Sequence, residues 1–183
     1  LGGIFSNRIL RGEALKKSDQ EIQIELQNLA DRFVSCVGND NFFLELQFNR
    51  LSAQHKVNKG LLALHDSTGI PLVATADSHY YSPDKWEARE LYKRLGWMGN
   101  NPSPIPDFEE LKCELYPKNA SQMWDEFLLH KDQHDFYKGK EQLVADAIER
   151  THDIAWEMCD DIWINQSVKL PNFNTSKIAR LTG

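Results

Sequence analysis

The stretch GIPLVATADSHYY, residues 69–81, decides how the rest of the chain is read. Residues 71–75 are mostly apolar, carry β-branched Val73 and Thr75, follow Gly69 and run out into a polar tip. Such a run, entered through a Gly/Pro turn, reads as a short buried strand. Asp77 and His79 stand at its C-terminal end. Residues two apart on extended backbone point to the same side. The spacing therefore brings a carboxylate and an imidazole to one site, a donor pair suited to zinc, manganese or iron. The C-terminal ends of buried strands are also where α/β folds keep their chemistry. On the pair alone, the plain alternative of a turn aspartate beside a surface histidine stays open.

Upstream, FFLELQF (residues 42–48) alternates, with Phe42, Leu44, Leu46 and Phe48 on one face and Phe43, Glu45 and Gln47 on the other. That is strand periodicity. The Glu45/Gln47 face meets water or, in a barrel, a polar site. Between the two strands, residues 52–68 form a helix with Val57, Leu61, Leu62 and Leu64 inward and Gly69 as its stop. His55 and His65 on this helix are expected to be solvated. Before the first strand, residues 18–37 form a helix with a Ser18/Glu21 capping box and an apolar stripe of Ile22, Leu26, Leu29, Phe33 and Val37. Residues 1–12 read as a glycine turn leading into a short amphipathic helix. Helix, strand, helix, strand with short connections argues for an α/β fold with parallel neighbours.

Downstream, Ser82-Pro83-Asp84 opens a helix with Ala88, Leu91, Tyr92 and Leu95 as its expected buried stripe and Gly96 as its end. Residues 97–106, rich in Pro, Gly and Asn, read as the way out of the α/β region. Asn119 and Gln122 cap a helix reaching residue 129. Residues 130–139 read as a polar loop in which His130 and His134 form a solvated hinge with no third ligand. Residues 140–159 are expected to be one long helix, with Val144, Ala147, Ile148, Thr151, Ile154 and Met158 among its inward residues. Asp160 and Asp161 terminate it, a short extended piece covers 162–164, residues 170–175 are a loop, and another helix starts at Ser176.

The chain has 183 residues, which allows one domain or one and a half. With 41% hydrophobic and 26% charged residues it can bury a core. Twenty-one Lys and Arg against 27 Asp and Glu give −6, and no basic run stands out, so these residues do not read as a stand-alone nucleic-acid binder. Cys36, Cys113 and Cys159 lie far apart with no Cys-x-x-Cys, which suits reduced thiols and a cytoplasmic setting. No apolar run approaches the roughly 20 residues of a membrane span, and no signal peptide is recognisable. There is no Gly-rich phosphate loop, nucleophile motif or repeat. A start at Leu1 and an end at RLTG read as a piece of a longer protein whose site is incomplete.

FFLELQ, the Gln54/Asn58 helix and GIPLVATADSHYYSPDKWEARE together resemble the N-terminal PHP domain of bacterial DNA polymerase III α subunits. That family typically reads F-Y-L-E-x-Q, then G-I-P-L-V-A-T-N-D-x-H-Y. ELYPKNASQMW, AIERTHDIAWEMC and KLPNF resemble the family's next segments, up to the edge of the polymerase palm. Ala76 and Arg150 stand where Asn is common, and residues 96–106 replace a longer segment. These departures suggest a phage-encoded or otherwise outlying member.

The resemblance implies a partial PHP-type distorted (β/α)7 barrel over residues 1–96, a mainly helical connector over 97–175, and the start of the next domain at 176–183. It implies that Asp77 and His79 are metal ligands, with Glu45 facing the site. The metal would be zinc or manganese, and the role 3′–5′ exonucleolytic removal of nucleotides or, without metal, a structural one. The parent would be a replicative DNA-directed DNA polymerase, a nucleotidyltransferase. Its magnesium site would lie beyond residue 183, with DNA, dNTPs, a proofreading exonuclease subunit and a sliding clamp as partners. A stand-alone PHP phosphoesterase and a metal-free scaffold are the competing readings. A barrel without its first strands is expected to leave open edges and to fold poorly alone.

Overall fold

The computed structural model of the chain describes residues 2–100, 114–161, 163–164 and 166–167. In chain order the elements are α1 (Gly2–Ala14), α2 (Asp19–Val37), β1 (Leu44–Gln47), α3 (Ser52–Thr68), β2 (Leu72–Thr75), α4 (Trp86–Asn100), α5 (Ala120–Lys131) and α6 (Glu141–Asp153), which runs into a π-helical turn at Ile154–Met158. Short 3-10 turns precede β1, α4 and α6 at Asn39–Asn41, Pro83–Lys85 and Asp135–Tyr137. The architecture is mixed α/β and mostly helical. β1 and β2 pair in parallel, Leu44 opposite Leu72 and Gln47 opposite Thr75, with α3 as the crossover between them.

A two-stranded sheet is marginal alone, so the helices must hold it. Alternation puts Phe42, Leu44, Leu46 and Phe48 on one face, and all four are buried, as are Leu72 and Ala74 of β2. α6 packs along β2, α3 against β1, and α1 and α2 against α3 and each other. Val144, Ala147 and Ile148 of α6, Phe127 of α5 and Tyr137 join the same core as the strands. Phe127 stacks edge-on against Phe48 at 5.3 Å between ring centres and against Tyr137 at 5.6 Å.

The helix signals act as local chemistry requires. Ser18 Oγ accepts from the Glu21 N–H at 3.3 Å while the Glu21 carboxylate accepts from the Ser18 N–H at 2.8 Å. Asn119 and Gln122 make the same reciprocal pair at 2.9 and 3.0 Å. Gly69 ends α3 with φ +71°, a left-handed turn that favours glycine, and its N–H caps the His65 carbonyl at 2.8 Å.

Several expectations are corrected. α1 begins at Gly2 itself, so both glycines lie within the helix rather than in a turn. Val37, at the C-terminal end of the α2 stripe, is exposed. α4 does not bury Ala88, Leu91, Tyr92 and Leu95; all four face outwards, Tyr92 being 77% exposed. The helix buries Glu90 instead, its carboxylate held by Arg89 at 2.8 Å and Lys93 at 3.0 Å. α4 packs chiefly on the 3-10 turn before it, so no described neighbour covers its apolar stripe. Gly96 does not stop it, since one glycine weakens a helix by about 1 kcal/mol without breaking it.

Residues 130–139 are no solvated hinge: His130 belongs to α5 and is buried, and Tyr137 is fully buried. His55 is buried too, and His65 is half-buried with Nδ1 2.7 Å from the Ile70 carbonyl. The inward stripe of α6 lapses after Ile148, where the backbone widens into the π turn: Thr151, Ala155 and Met158 are exposed, while Ile154 is part-buried. Asp160 and Asp161 are exposed beyond it. Most of the expected exit segment, Cys113, Ile162, the 170–175 loop and the helix from Ser176 lie outside the described residues.

Asn58, fully buried on α3, donates to the Gln47 carbonyl and to the Tyr137 hydroxyl, both at 2.8 Å. Replacing it with near-isosteric Leu should cost about 1–3 kcal/mol, because two buried polar partners are left unsatisfied. Leu46→Ala, at a site with no exposure, should cost about 2–5 kcal/mol. Urea unfolding curves of the two variants check both figures.

Candidate functional site

β2 delivers its polar tip at Ala76–Asp77, and the backbone there turns sharply. Asp77 has φ +47°, in the left-handed region. Short polar residues tolerate this conformation better than other non-glycine residues, but it still costs free energy. The turn points Asp77 back towards β1: its side chain and those of Glu45, Gln47 and Gln54 line one cleft of about 560 Å³, closed on its other side by Phe5 and Ser6 of α1. That volume lies in the range of small-ligand sites.

Glu45 is held inside the sheet face rather than released to solvent. The Thr75 hydroxyl, one strand over, donates to its carboxylate at 2.6 Å. The parallel register explains this, because Thr75 lies opposite Gln47 and diagonal to Glu45 on the same face.

His79 is placed by its backbone. Its N–H donates to the Leu115 carbonyl at 2.8 Å, and the Leu115 N–H donates in turn to the Tyr80 hydroxyl at 2.9 Å. The segment starting at Glu114, which itself has φ +53°, thereby folds over the C-terminal ends of both strands. Beneath it remains a hollow of only about 10 Å³ between Gln47, Thr75 and Leu115, room for one water at most. Glu126, buried behind this plug, has its carboxyl pushed up by burial, with Lys118 and Arg50 acting against that shift. Burial pushes the Lys118 ammonium down.

The structure brings Asp77 and His79 side by side, with His79 Nε2 3.4 Å from Asp77 Oδ2. Both side chains are close to half exposed, so the contact leaves them open to other partners. Asp77 shares the cleft with Glu45; His79 does not line it. A carboxylate and an imidazole fit part of a divalent-metal ligand set. Among the described residues, however, no three His, Cys, Asp or Glu stand ready to hold an ion together.

The sequence reading missed the buried histidines. His55, Asn58 and Leu62 are spaced i, i+3, i+7 on α3, one helical face, and Leu62 and Asn58 are buried with His55. That spacing was the available signal.

The backbone strain at Asp77 predicts a split between stability and chemistry. Asp77→Gly should hold or raise stability, by up to about 1 kcal/mol. Asp77→Val should lower it by about 1–2 kcal/mol, because a β-branched residue resists φ > 0. Both remove the carboxylate, so denaturant midpoints separate the backbone effect from ligand loss.

No protein-family model matches the chain. It is similar to part of DNA polymerase III α subunits from several bacteria. It is 32% identical over 102 residues to the subunit of Treponema pallidum, covering 54% of this chain and 8% of that protein. Against Borreliella burgdorferi the identity is 31% over 132 residues, 72% of this chain and 10% of that protein. Against Mycobacterium leprae it is 42% over 102 residues, 53% of this chain and 8% of that protein. The matched regions thus span a tenth or less of the length of these curated relatives, and the chain is related to a limited region of a replicative DNA polymerase subunit.

Proposed function

We propose that residues 1–96 are the C-terminal portion of a PHP-type domain and residues 97–175 its helical connector towards a polymerase palm, in a replicative DNA polymerase of the DNA polymerase III α type. The observation that carries this reading is the shared sequence with α subunits from spirochaetes and mycobacteria. The parallel β1–α3–β2 unit is consistent with it: a right-sized βαβ step, with the outer edge of each strand unpaired among the described residues.

In this reading Asp77 is a carboxylate ligand and His79, beside it at the rim, a neutral imidazole ligand of zinc or manganese, with Glu45 facing the cleft that Asp77 lines. When bound, such an ion supplies Lewis acidity for phosphodiester hydrolysis, the chemistry of a 3′–5′ exonuclease. The chain's own residues do the positioning. Thr75 fixes Glu45, the left-handed turn aims Asp77 into the cleft, and the Leu115 carbonyl anchors the His79 backbone. The remaining ligands belong to parts of the parent outside the described residues; without them the domain is a structural brace. Nucleotide addition, with magnesium, DNA and dNTPs, belongs to the palm. A proofreading exonuclease subunit and a sliding clamp are the partners that such a parent implies, together with a cytoplasmic location and, in an outlying member, phage origin. No helix among the described residues is long and apolar enough to cross a membrane.

The complete gene product should extend a primer with magnesium and dNTPs, and Asp77→Asn and His79→Gln should leave that extension unchanged while lowering zinc or manganese content measured by mass spectrometry. No extension, with turnover of small phosphomonoesters instead, would make the protein a stand-alone phosphoesterase. Intact extension with no metal in the wild type would leave only the structural role.

A further inference from the structure

Away from the cleft, three imidazoles meet where α3 touches the α5–α6 segment. The His55 ring lies 4.3 Å from the His130 ring and 4.5 Å from the His134 ring, centre to centre, and the second pair is stacked. His55 is 3% and His130 7% exposed, and Nε2 of each is buried without a hydrogen-bond partner. His55 Nδ1 lies 2.9 Å from the Tyr137 hydroxyl. The network fixes the proton arrangement. The Gln47 carbonyl only accepts, so the Asn58 amide nitrogen faces it and also donates to the Tyr137 oxygen. The Tyr137 hydrogen then has His55 Nδ1 as its acceptor, which places the His55 ring proton on Nε2.

We infer that the His55–His130–His134 stack is an acid-sensitive latch fastening the α5–α6 segment to α3 and β1, closed while His55 and His130 are neutral and opened when they take up protons. A proton arriving at His55 Nδ1 removes the acceptor of the Tyr137 hydroxyl, which is fully buried. It also places a cation against two more imidazoles. The charged neighbour acting on the stack offers no relief: Arg50, on the β1–α3 connection, further lowers His130, while Glu126, one turn before His130 on α5, is set against Lys118 and Arg50. Glu126 is itself disposed to protonate, because burial pushes its carboxyl up. Metal capture is not the chemistry of this cluster, since the His55 and His134 rings stack and no three described ligands are arranged to hold an ion.

Burial, then the neighbouring His130 and His134, hold His55 down from 6.5 to about 4, with the Asn49 backbone acting weakly the other way. Burial also lowers His130, followed by His134 and Arg50. The closed state therefore binds fewer protons than the open one between pH 6.5 and about pH 4. Closure is complete above that window and lost as pH falls through it. For His55 alone, opening at pH 5.0 should be about 30-fold more favourable than at pH 7.5.

Hydrogen exchange of the intact protein, corrected for the intrinsic pH dependence of amide exchange, tests this. Peptides over residues 52–58 and 127–137 should lose protection by roughly that factor between pH 7.5 and 5.0, while residues 22–30 of α2, which packs on α1 and α3, change little. The combined His55→Gln, His130→Gln and His134→Gln variant should lose the effect. Ring-carbon NMR titration of the wild type, which needs no variant to fold, should give a His55 midpoint well below 6.5. Equal protection at both pH values overturns the latch. So does a His55 midpoint at or above 6.5, an acid effect that survives in a folded triple variant, or opening that tracks removal of a stoichiometric zinc rather than pH.

Discussion

The side-chain amide of Asn58 is the point on which the packing turns. It is fully buried at the middle of α3, gives one hydrogen to the last residue of β1 and one to Tyr137, and accepts from Gln54 at 3.0 Å. A buried amide is costly unless its bonds are made. Here three of its four hydrogen-bonding positions are satisfied by groups from three separate elements. Hydrophobic contact would let α3 slide on the strand by a fraction of a turn; this amide does not. It sets where the end of β1 sits against the helix, and with it where Glu45 and Gln47 meet the cleft. Through Tyr137 it also sets where α6 begins its run along β2.

The cleft is assembled by constraints of a different kind. A strand tip that continued straight would carry Asp77 away from β1. The left-handed residue reverses it, and the segment folded over the strand ends keeps the next residues from unwinding. Strain of this sort persists only where surrounding contacts over-determine the backbone, and it gathers at sites whose geometry has a use. The Leu115 bonds to His79 and Tyr80 are that surrounding contact. Covering the strand tips leaves a hollow of about 10 Å³ there, so the strands' polar residues open to solvent through the cleft beside β1 instead.

What could be read from sequence was what is decided within a few residues. The two capping boxes, the Gly69 stop, the alternation of residues 42–48 and the strand before Asp77 each depend on neighbours in the chain, and each stands in the structure. Proximity of Asp77 to His79 could be inferred from a spacing of two, although the positive φ at Asp77 could not. His55, His130 and Tyr137 were misread because their environment is made by residues some 80 positions away. A polar residue on a helix reads as solvated until the element that buries it is known. The α4 stripe failed in the opposite sense. Amphipathic spacing says that a face is suited to burial, while burial itself needs a second surface, and none of the described elements supplies one.

That bare face on α4 governs how the chain behaves in company. Leu91, Tyr92, Leu95 and Met98 present side chains that are each more than half exposed, along successive turns of one helix. Hydrating one such group costs little, but the cost grows for a row of them, and contiguous apolar strips drive association. Where nothing else covers the strip, dilution and ionic conditions, more than the internal packing of the core, would set whether separate copies stay dispersed. Salting-out ions would tighten any such pairing, and mild chaotropes would loosen it before they reach the buried strands.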